Sequence, residues 1–265
     1  MMKIYTPKKT KIKSIRRDSH DTVILTLNYS LKHEPGQFVQ VSLPGIGEAP
    51  ISISSYGKKY LELSIREVGN VTRTLGKLKK GNFVWVRGPY GNGYPMKMLE
   101  GNNILIIGGG CGVAPLKGII EYLEKNRKKY RDIILFLGYR SPEEILYKKE
   151  LAKWKSKHIV NLTVDKASGD SCYTGNVGFV TQIVENYSMD NQNKIVFICG
   201  PPIMMKGSID ILKRKGFNED QIFISAERLM YCGIGKCCHC MIHGKFTCQD
   251  GPVFRYDAIS GFKND

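Results

Sequence analysis

Between residues 11 and 98, apolar and polar positions alternate in short runs at 11–17, 22–27, 38–43, 49–54, 60–66 and 82–87. Pro35-Gly36 and Pro44-Gly45 punctuate them as turns. A period of two marks strands with one buried face, and six at this spacing predict an antiparallel β-barrel. One helix, 71–79, interrupts the series just after Gly69-Asn70. At Asn103 the pattern changes. Ile104-Leu105-Ile106-Ile107 is continuously apolar, as a strand covered on both faces requires. Further strands are expected at 133–139, 159–165, 194–199 and 221–225, alternating with helices at 116–128, 143–154, 179–186 and 202–215. Such alternation predicts a doubly wound parallel α/β sheet. A last segment, from Glu227 to about Phe254, is short and rich in cysteine. The expected organisation is a barrel over 1–99, an α/β domain over 100–225 and a small lobe over 226–265.

Length and charge narrow the picture only slightly. A chain of 265 residues holds two ordinary domains and an appendix. The basic N-terminus has no apolar region after it, and the run 104–116 is too short and too broken by glycine and proline to span a bilayer. The expected location is the cytoplasm, where clustered thiols signify metal rather than disulfides. The net charge of +16 comes from 40 Lys and Arg against 24 Asp and Glu. These lysines are dispersed over helix surfaces, with no aromatic-interleaved basic motif, so neither nucleic acid nor membrane is an expected partner. What remains for the charge is docking to an acidic electron-transfer partner.

The chemistry concentrates in the C-terminal segment. Cys232, Cys237, Cys240 and Cys248 follow the spacing C-x4-C-x2-C-x7-C, with Gly233 and Gly235 inside the first loop. A loop wrapped round two irons must turn sharply and aim backbone N–H groups at sulfur, which glycine permits. This is the spacing of a plant-type [2Fe–2S] loop. Zinc sites more often pair their thiols as C-x2-C twice, and a C-x-x-C disulfide would use Cys237 and Cys240 alone. Both stay open as alternatives. Cys238 is read as a neighbour rather than a ligand, and four cysteines saturate the cluster without His239 or His243. Cys111, Cys172 and Cys199 are scattered.

Two glycine-bearing loops follow strands of the α/β domain. Gly108-Gly109-Gly110-Cys111-Gly112 ends the first strand and opens a helix, where a bare backbone and a helix N-terminus suit a pyrophosphate. Cys199-Gly200-Pro201-Pro202 ends the fourth strand, and the two loops are expected to flank one crevice. Arg140, after the second strand, is placed to meet a ribose or its 2′-phosphate, and Asp165 stands at the end of the third. In the barrel, Glu48-Ala49-Pro50-Ile51-Ser52-Ile53-Ser54 ends one strand and Gly69-Asn70-Val71-Thr72 begins the helix, offering a second anion site.

The order of barrel, Gly-Asn-Val-Thr helix, Gly88-Pro89-Tyr90-Gly91 turn, Gly-Gly-Gly-Cys-Gly-Val-Ala-Pro loop and Cys-Gly-Pro-Pro loop resembles the ferredoxin–NADP reductase superfamily over about the first 225 residues. The cysteine lobe is similar to those of dihydroorotate dehydrogenase electron-transfer subunits and sulfhydrogenase gamma subunits. Gly47 to Ser52, Tyr90 to Pro95, Gly200 to Met204 and the cysteine loop with Asp250-Gly251-Pro252 look most like the B subunits of anaerobic sulfite reductases. The resemblance implies FAD on the barrel, with Pro50, Ile51, Ser52, Ile53, Arg66, Gly69, Val71 and Thr72 at its site. The superfamily's Arg-x-Tyr-Ser motif maps onto Ala49 to Ser52, so its arginine is missing, and the alternatives are that Arg66 or Arg73 substitutes or that FAD is held more loosely. The resemblance also implies a nicotinamide cofactor at Gly108, Gly109, Gly110, Gly112, Val113, Ala114, Pro115, Arg140, Asp165, Cys199, Gly200 and Pro201. NADH is expected, with NADPH admitted. Ser52 and Cys199 are the expected catalytic residues. The implied activity takes hydride from NAD(P)H onto FAD and sends single electrons through the [2Fe–2S] cluster to a ferredoxin-like subunit and a siroheme subunit that reduces sulfite. Alternatives are the electron-transfer subunit of a sulfhydrogenase or dihydroorotate dehydrogenase, and a zinc-stabilised redox sensor or scaffold.

Overall fold

A computed structural model describes residues 5–57, 59–167 and 173–260. Cys172 lies outside the described residues. The chain divides into two compact units: one holds residues 1–94, 117–122 and 226–253, the other 95–116, 123–225 and 254–265. Residues 226–253, most of the cysteine lobe, fall in the unit that holds the barrel.

The first unit contains β1 (Lys8–Arg17), β2 (Thr22–Leu27), β3 (Phe38–Leu43), β4 (Gly47–Ser52), β5 (Leu61–Arg66), helix α1 (Asn70–Gly76) and β6 (Phe83–Tyr90). The strands are antiparallel in the order β4-β3-β6-β1-β2-β5, and an Ile53–Leu63 bridge closes the sheet on itself. Alternation explains the closure. Leu61, Leu63 and Ile65 point inward with Leu25, Leu27, Val39, Val41, Val84 and Val86, while the intervening residues face out. Burying some dozen such side chains, each contributing about 1.5–3 kcal/mol on transfer, drives the assembly. Helix α1 packs against both edge strands and adds the fully buried Leu75 to that core.

In the second unit the strands are β7 (Asn103–Gly109), β8 (Ile133–Tyr139), β9 (Ile159–Val164), β10 (Asn176–Val177), β11 (Lys194–Cys199) and β12 (Ile222–Ser225). The helices are α2 (Val113–Lys125), α3 (Lys148–Lys155), α4 (Val180–Asn186) and α5 (Pro202–Arg214). After β12 the chain forms a hairpin, β13 (Met241–Ile242) and β14 (Lys245–Phe246), and then β15 (Val253–Arg255). The sheet order is β10-β9-β8-β7-β11-β12-β15, with parallel pairing from β10 through β12. The order reverses between β7 and β11, and ligands of such sheets bind outside the strand ends at that point.

The single helix expected at 143–154 is instead a 3₁₀ turn at Pro142–Glu144 followed by α3. Ile145, Leu146 and Tyr147 are all buried, and three consecutive residues cannot share one helical face. Tyr147 therefore takes a left-handed backbone (φ 58°), which sends its ring towards Trp154 at 6.2 Å. Among the described residues no helix is long and apolar enough to cross a membrane.

Candidate metal centre and nucleotide loops

The cysteine loop is built on the barrel's aromatic end. Cys240 and Cys248, each 1% exposed, share one buried cluster with Phe38 of β3 and Tyr90 of β6, against which Met230, Cys232, Ile234 and Phe246 pack. Gly233 and Gly235 both have left-handed backbones (φ 76° and 72°), and a Cβ on Gly233 would press on the Tyr90 ring at 3.1 Å. These turns direct the backbone at sulfur. The N–H groups of Ile234, Lys236 and Cys237 donate to Cys232 Sγ at 3.4, 3.3 and 3.4 Å, and that of Gly235 donates to Cys248 Sγ at 3.1 Å.

Cys237 neighbours Cys232, and Cys240 and Cys232 both neighbour Cys248. Burial works against ionisation of Cys232, but the N–H groups of Ile234, Cys237 and Lys236 outweigh it and bring the thiol down to about 6. Burial, with Cys240 alongside, pushes Cys248 up to about 12. Among the described residues no three His, Cys, Asp or Glu side chains converge on a single ion. An all-thiol donor set ringed by N–H donors fits an iron–sulfur cluster, which Cys232, Cys237, Cys240 and Cys248 would hold as thiolates. Cys238 is exposed, with its own left-handed backbone (φ 64°). His239 is also exposed, its ring edge-on to Tyr231 at 4.7 Å.

Residues of the barrel that the sequence did not single out hold this loop. Arg87 Nη1 donates to the Cys232 carbonyl at 2.7 Å and Nη2 to that of Tyr231 at 3.1 Å, while Gln40 Nε2 reaches the Met230 carbonyl at 3.0 Å. At the other end of the lobe, Asn92 Nδ2 donates to the Asp250 carbonyl at 2.9 Å. The strand period is the one signal that pointed here. Gln40 and Arg87 face each other in the β3–β6 register, on polar positions of a barrel whose neighbours are apolar.

On the barrel, Ile51 and Ile53 are core side chains at 7% and 1% exposure, so only their backbone can address a ligand. Pro50 and Ser52 are half-buried. The start of β4 meets α1, since a Cβ on Gly47 would lie 3.1 Å from Val71 Cγ2. The Thr72 hydroxyl accepts from the N–H groups of Val68 and Gly69 at 3.1 and 2.9 Å and donates to the Gly69 carbonyl. Arg66 pairs with Asp21 at 2.6 Å on the surface.

In the α/β unit the two glycine loops meet. Cys199 stands opposite Gly108 in the register, and a Cβ on Gly112 would lie 2.5 Å from the backbone carbon and oxygen of Cys199. Only glycine allows that approach. The 3₁₀ turn Gly110–Gly112 leads directly into α2, whose first residues Val113, Ala114 and Pro115 are buried. Cys199 is 1% exposed, Gly200 half-buried and Pro201 exposed. Arg140 is exposed at the end of β8, and Asp165 follows β9 beside it, the Asp165 N–H donating to the Tyr139 carbonyl at 2.8 Å. Burial holds the Asp165 carboxyl above the usual range, opposed by Arg140 and Lys166.

Known proteins share both regions. Residues 106–209 match the oxidoreductase NAD-binding domain, and residues 227–260 match the iron–sulfur cluster binding domain of dihydroorotate dehydrogenase B. The gamma subunit of sulfhydrogenase 1 from Pyrococcus furiosus is 41% identical over 236 residues, covering 86% of this chain and 81% of the relative. A probable dihydroorotate dehydrogenase B (NAD(+)) electron transfer subunit of the same organism is 35% identical over 230 residues, covering 86% and 82%. This chain belongs to that family of electron-transfer subunits. The fold agrees with it: a structure of an NADH-dependent reduced ferredoxin–NADP oxidoreductase superposes with a TM-score of 0.77 at 25% identity, covering 94% of this chain and 91% of that one. As a member of the family, the chain is an NAD(P)H-linked oxidoreductase subunit with an iron–sulfur domain.

Proposed function

We propose that this electron-transfer subunit oxidises NAD(P)H at its α/β unit, uses FAD on its barrel, and delivers electrons singly through a [2Fe–2S] cluster to partner subunits. The observation that carries the reading is the fan of backbone N–H donors from Ile234, Gly235, Lys236 and Cys237 onto the Cys232 and Cys248 sulfurs, with Cys240 and Cys248 buried beside Phe38 and Tyr90. Bound FAD exchanges electrons both in pairs and singly, which is what connects a nicotinamide to a one-electron cluster. The chain's own residues hold and orient these groups. Gly108, Gly109, Gly110 and Gly112 present bare backbone at the strand reversal, and Val113, Ala114 and Pro115 start the helix behind it. Gly200, Pro201 and Cys199 form the facing wall, with Arg140 and Asp165 towards the ribose. On the barrel, Ser52 and the backbone of Pro50, Ile51 and Ile53 line the FAD site with Gly69, Val71 and Thr72. Arg66 is available to a phosphate because its exposed pair with Asp21 is of the kind worth about 0–1 kcal/mol.

The terminal acceptor we assign is sulfite, reduced to sulfide by a siroheme subunit reached through a ferredoxin-like one. Its support is the set of segments at Gly47 to Ser52, Tyr90 to Pro95 and Cys232 to Pro252 that resemble the B subunits of anaerobic sulfite reductases. The second reading is the gamma subunit of a sulfhydrogenase, favoured by the 41% identity. Two measurements test the proposal. Anaerobic addition of NADH to the purified chain is expected to bleach both flavin and iron–sulfur absorbance; zinc in place of iron, with no flavin band, refutes it. Co-purification from the native host with a siroheme protein supports sulfite, and a hydrogenase in its place gives the second reading.

A further inference from the structure

Arg87 is a saturated arginine. Of its five N–H donors, Nε serves Glu48 Oε2 at 2.9 Å, Nη2 serves Glu48 Oε1 and the Tyr231 carbonyl, and Nη1 serves the Tyr90 hydroxyl at 3.1 Å and the Cys232 carbonyl at 2.7 Å. The guanidinium also lies 5.3 Å from the Tyr90 ring centre. Its side chain is 11% exposed and that of Glu48 is 26%. Burial opposes the charge, but Glu48 and Tyr90 outweigh it and hold Arg87 above the ordinary guanidinium value. The bidentate contact sets the guanidinium directly against the Glu48 carboxylate. Glu48 in turn directly precedes Ala49 to Ser52, the segment assigned to FAD. A fixed cation thus touches the carbonyl of a cluster ligand, and a fixed anion stands behind it on the strand assigned to the flavin.

We propose that Arg87 is a positioning residue that orients the Cys232 ligand loop, and that the Arg87–Glu48 pair sets the reduction potential of the cluster. This rests on the reading that the four thiols hold a [2Fe–2S] centre. When the oxidised cluster accepts one electron, a negative charge appears with no bond made or broken. The adjacent guanidinium favours that state, and the carboxylate behind it restrains the effect. The two charges therefore act with opposite sign. A purely mechanical brace would not.

The test is a mediator-buffered redox titration of the full chain, followed by the electron paramagnetic resonance signal of the reduced cluster. Iron, sulfide and melting temperature are read on the same samples. Arg87→Gln is expected to shift the potential downward and Glu48→Gln upward. The double variant falls between them, and Arg87→Lys, which keeps the charge but loses the fork, stays nearer the parent than Arg87→Gln while loading less iron. If Arg87→Gln does not retain a cluster, Glu48→Gln and Arg87→Lys carry the test. Unshifted potentials, or shifts of the same sign in Arg87→Gln and Glu48→Gln, overturn the proposal. A parent chain that holds no iron and sulfide overturns instead the reading beneath it.

Discussion

Replacing Lys117 with methionine removes the centre of a buried ionic triad. Its ammonium, 3% exposed, sits 2.8 Å from Glu62 and 2.6 Å from Glu121 and donates to the Ser54 carbonyl at 3.1 Å. Glu121 keeps the Tyr56 N–H at 2.7 Å, but Glu62, 14% exposed, is left as a carboxylate without its cation. Breaking a buried pair from one side costs about 3–5 kcal/mol. At about 2–4 °C per kcal/mol, Lys117→Met is expected to melt about 6–20 °C lower at pH 7. The sign of the pH dependence follows from the same groups. Burial raises the Glu62 carboxyl, with Lys117 the first influence opposing it, so Glu62 contributes stability that is lost as pH rises through its folded value. Without Lys117 that loss extends to higher pH, and the deficit of the variant narrows as pH falls from 7 towards 5. Lys117 itself is raised, burial opposing and Glu62 and Glu121 prevailing, so in the parent its contribution is complete below the ordinary 10.5. The assay is thermal melting followed by circular dichroism at pH 5, 6 and 7. A variant within about 1 kcal/mol of the parent at pH 7, less than the roughly 1.4 kcal/mol of a tenfold change in an equilibrium, or a deficit independent of pH, refutes the account.

Cys238→Gly removes a side chain from a left-handed backbone that disfavours L-residues by about 1–2 kcal/mol, so the variant is expected to keep full iron loading and melt no lower than the parent. Iron-to-protein ratio and melting temperature check both, and iron loss would make Cys238 a ligand. Gly112→Ala drives a methyl into the Cys199 backbone at 2.5 Å, an overpacking that costs about 1–3 kcal/mol, and it is expected to weaken NADH binding in a fluorescence titration while leaving iron content unchanged.

Strands and helices with sustained periodicity were legible in the sequence, and the residues explain why. Leu61, Leu63 and Ile65 alternate without a break, and Ile104 to Ile107 are apolar throughout, so both sheets announce themselves locally. Two-residue strands such as Asn176–Val177 or Met241–Ile242 carry no period and went unread. Tyr147 breaks a helix because it is buried together with Ile145 and Leu146, a packing demand that no local propensity encodes. The spacing of the four cysteines was legible because the loop that carries them is itself local. Its supports were not: Arg87 lies 145 positions from Cys232, and Gln40 lies 190 from Met230. Thr72 illustrates a different limit, since a hydroxyl at the start of a helix suits both an anion and the helix cap, and the sequence alone does not separate the two roles.

Cys232, Cys240 and Cys248 pack with Phe38 and Tyr90, side chains contributed by two barrel strands. The lobe is consequently no portable cassette. Any recombination that trades electron acceptors between relatives must carry strands three and six along with the terminal segment, or rebuild an aromatic floor beneath it. A graft of the final forty residues alone, onto a scaffold lacking those rings, would expose the inner thiols to water and leave the turn without a surface to fold against.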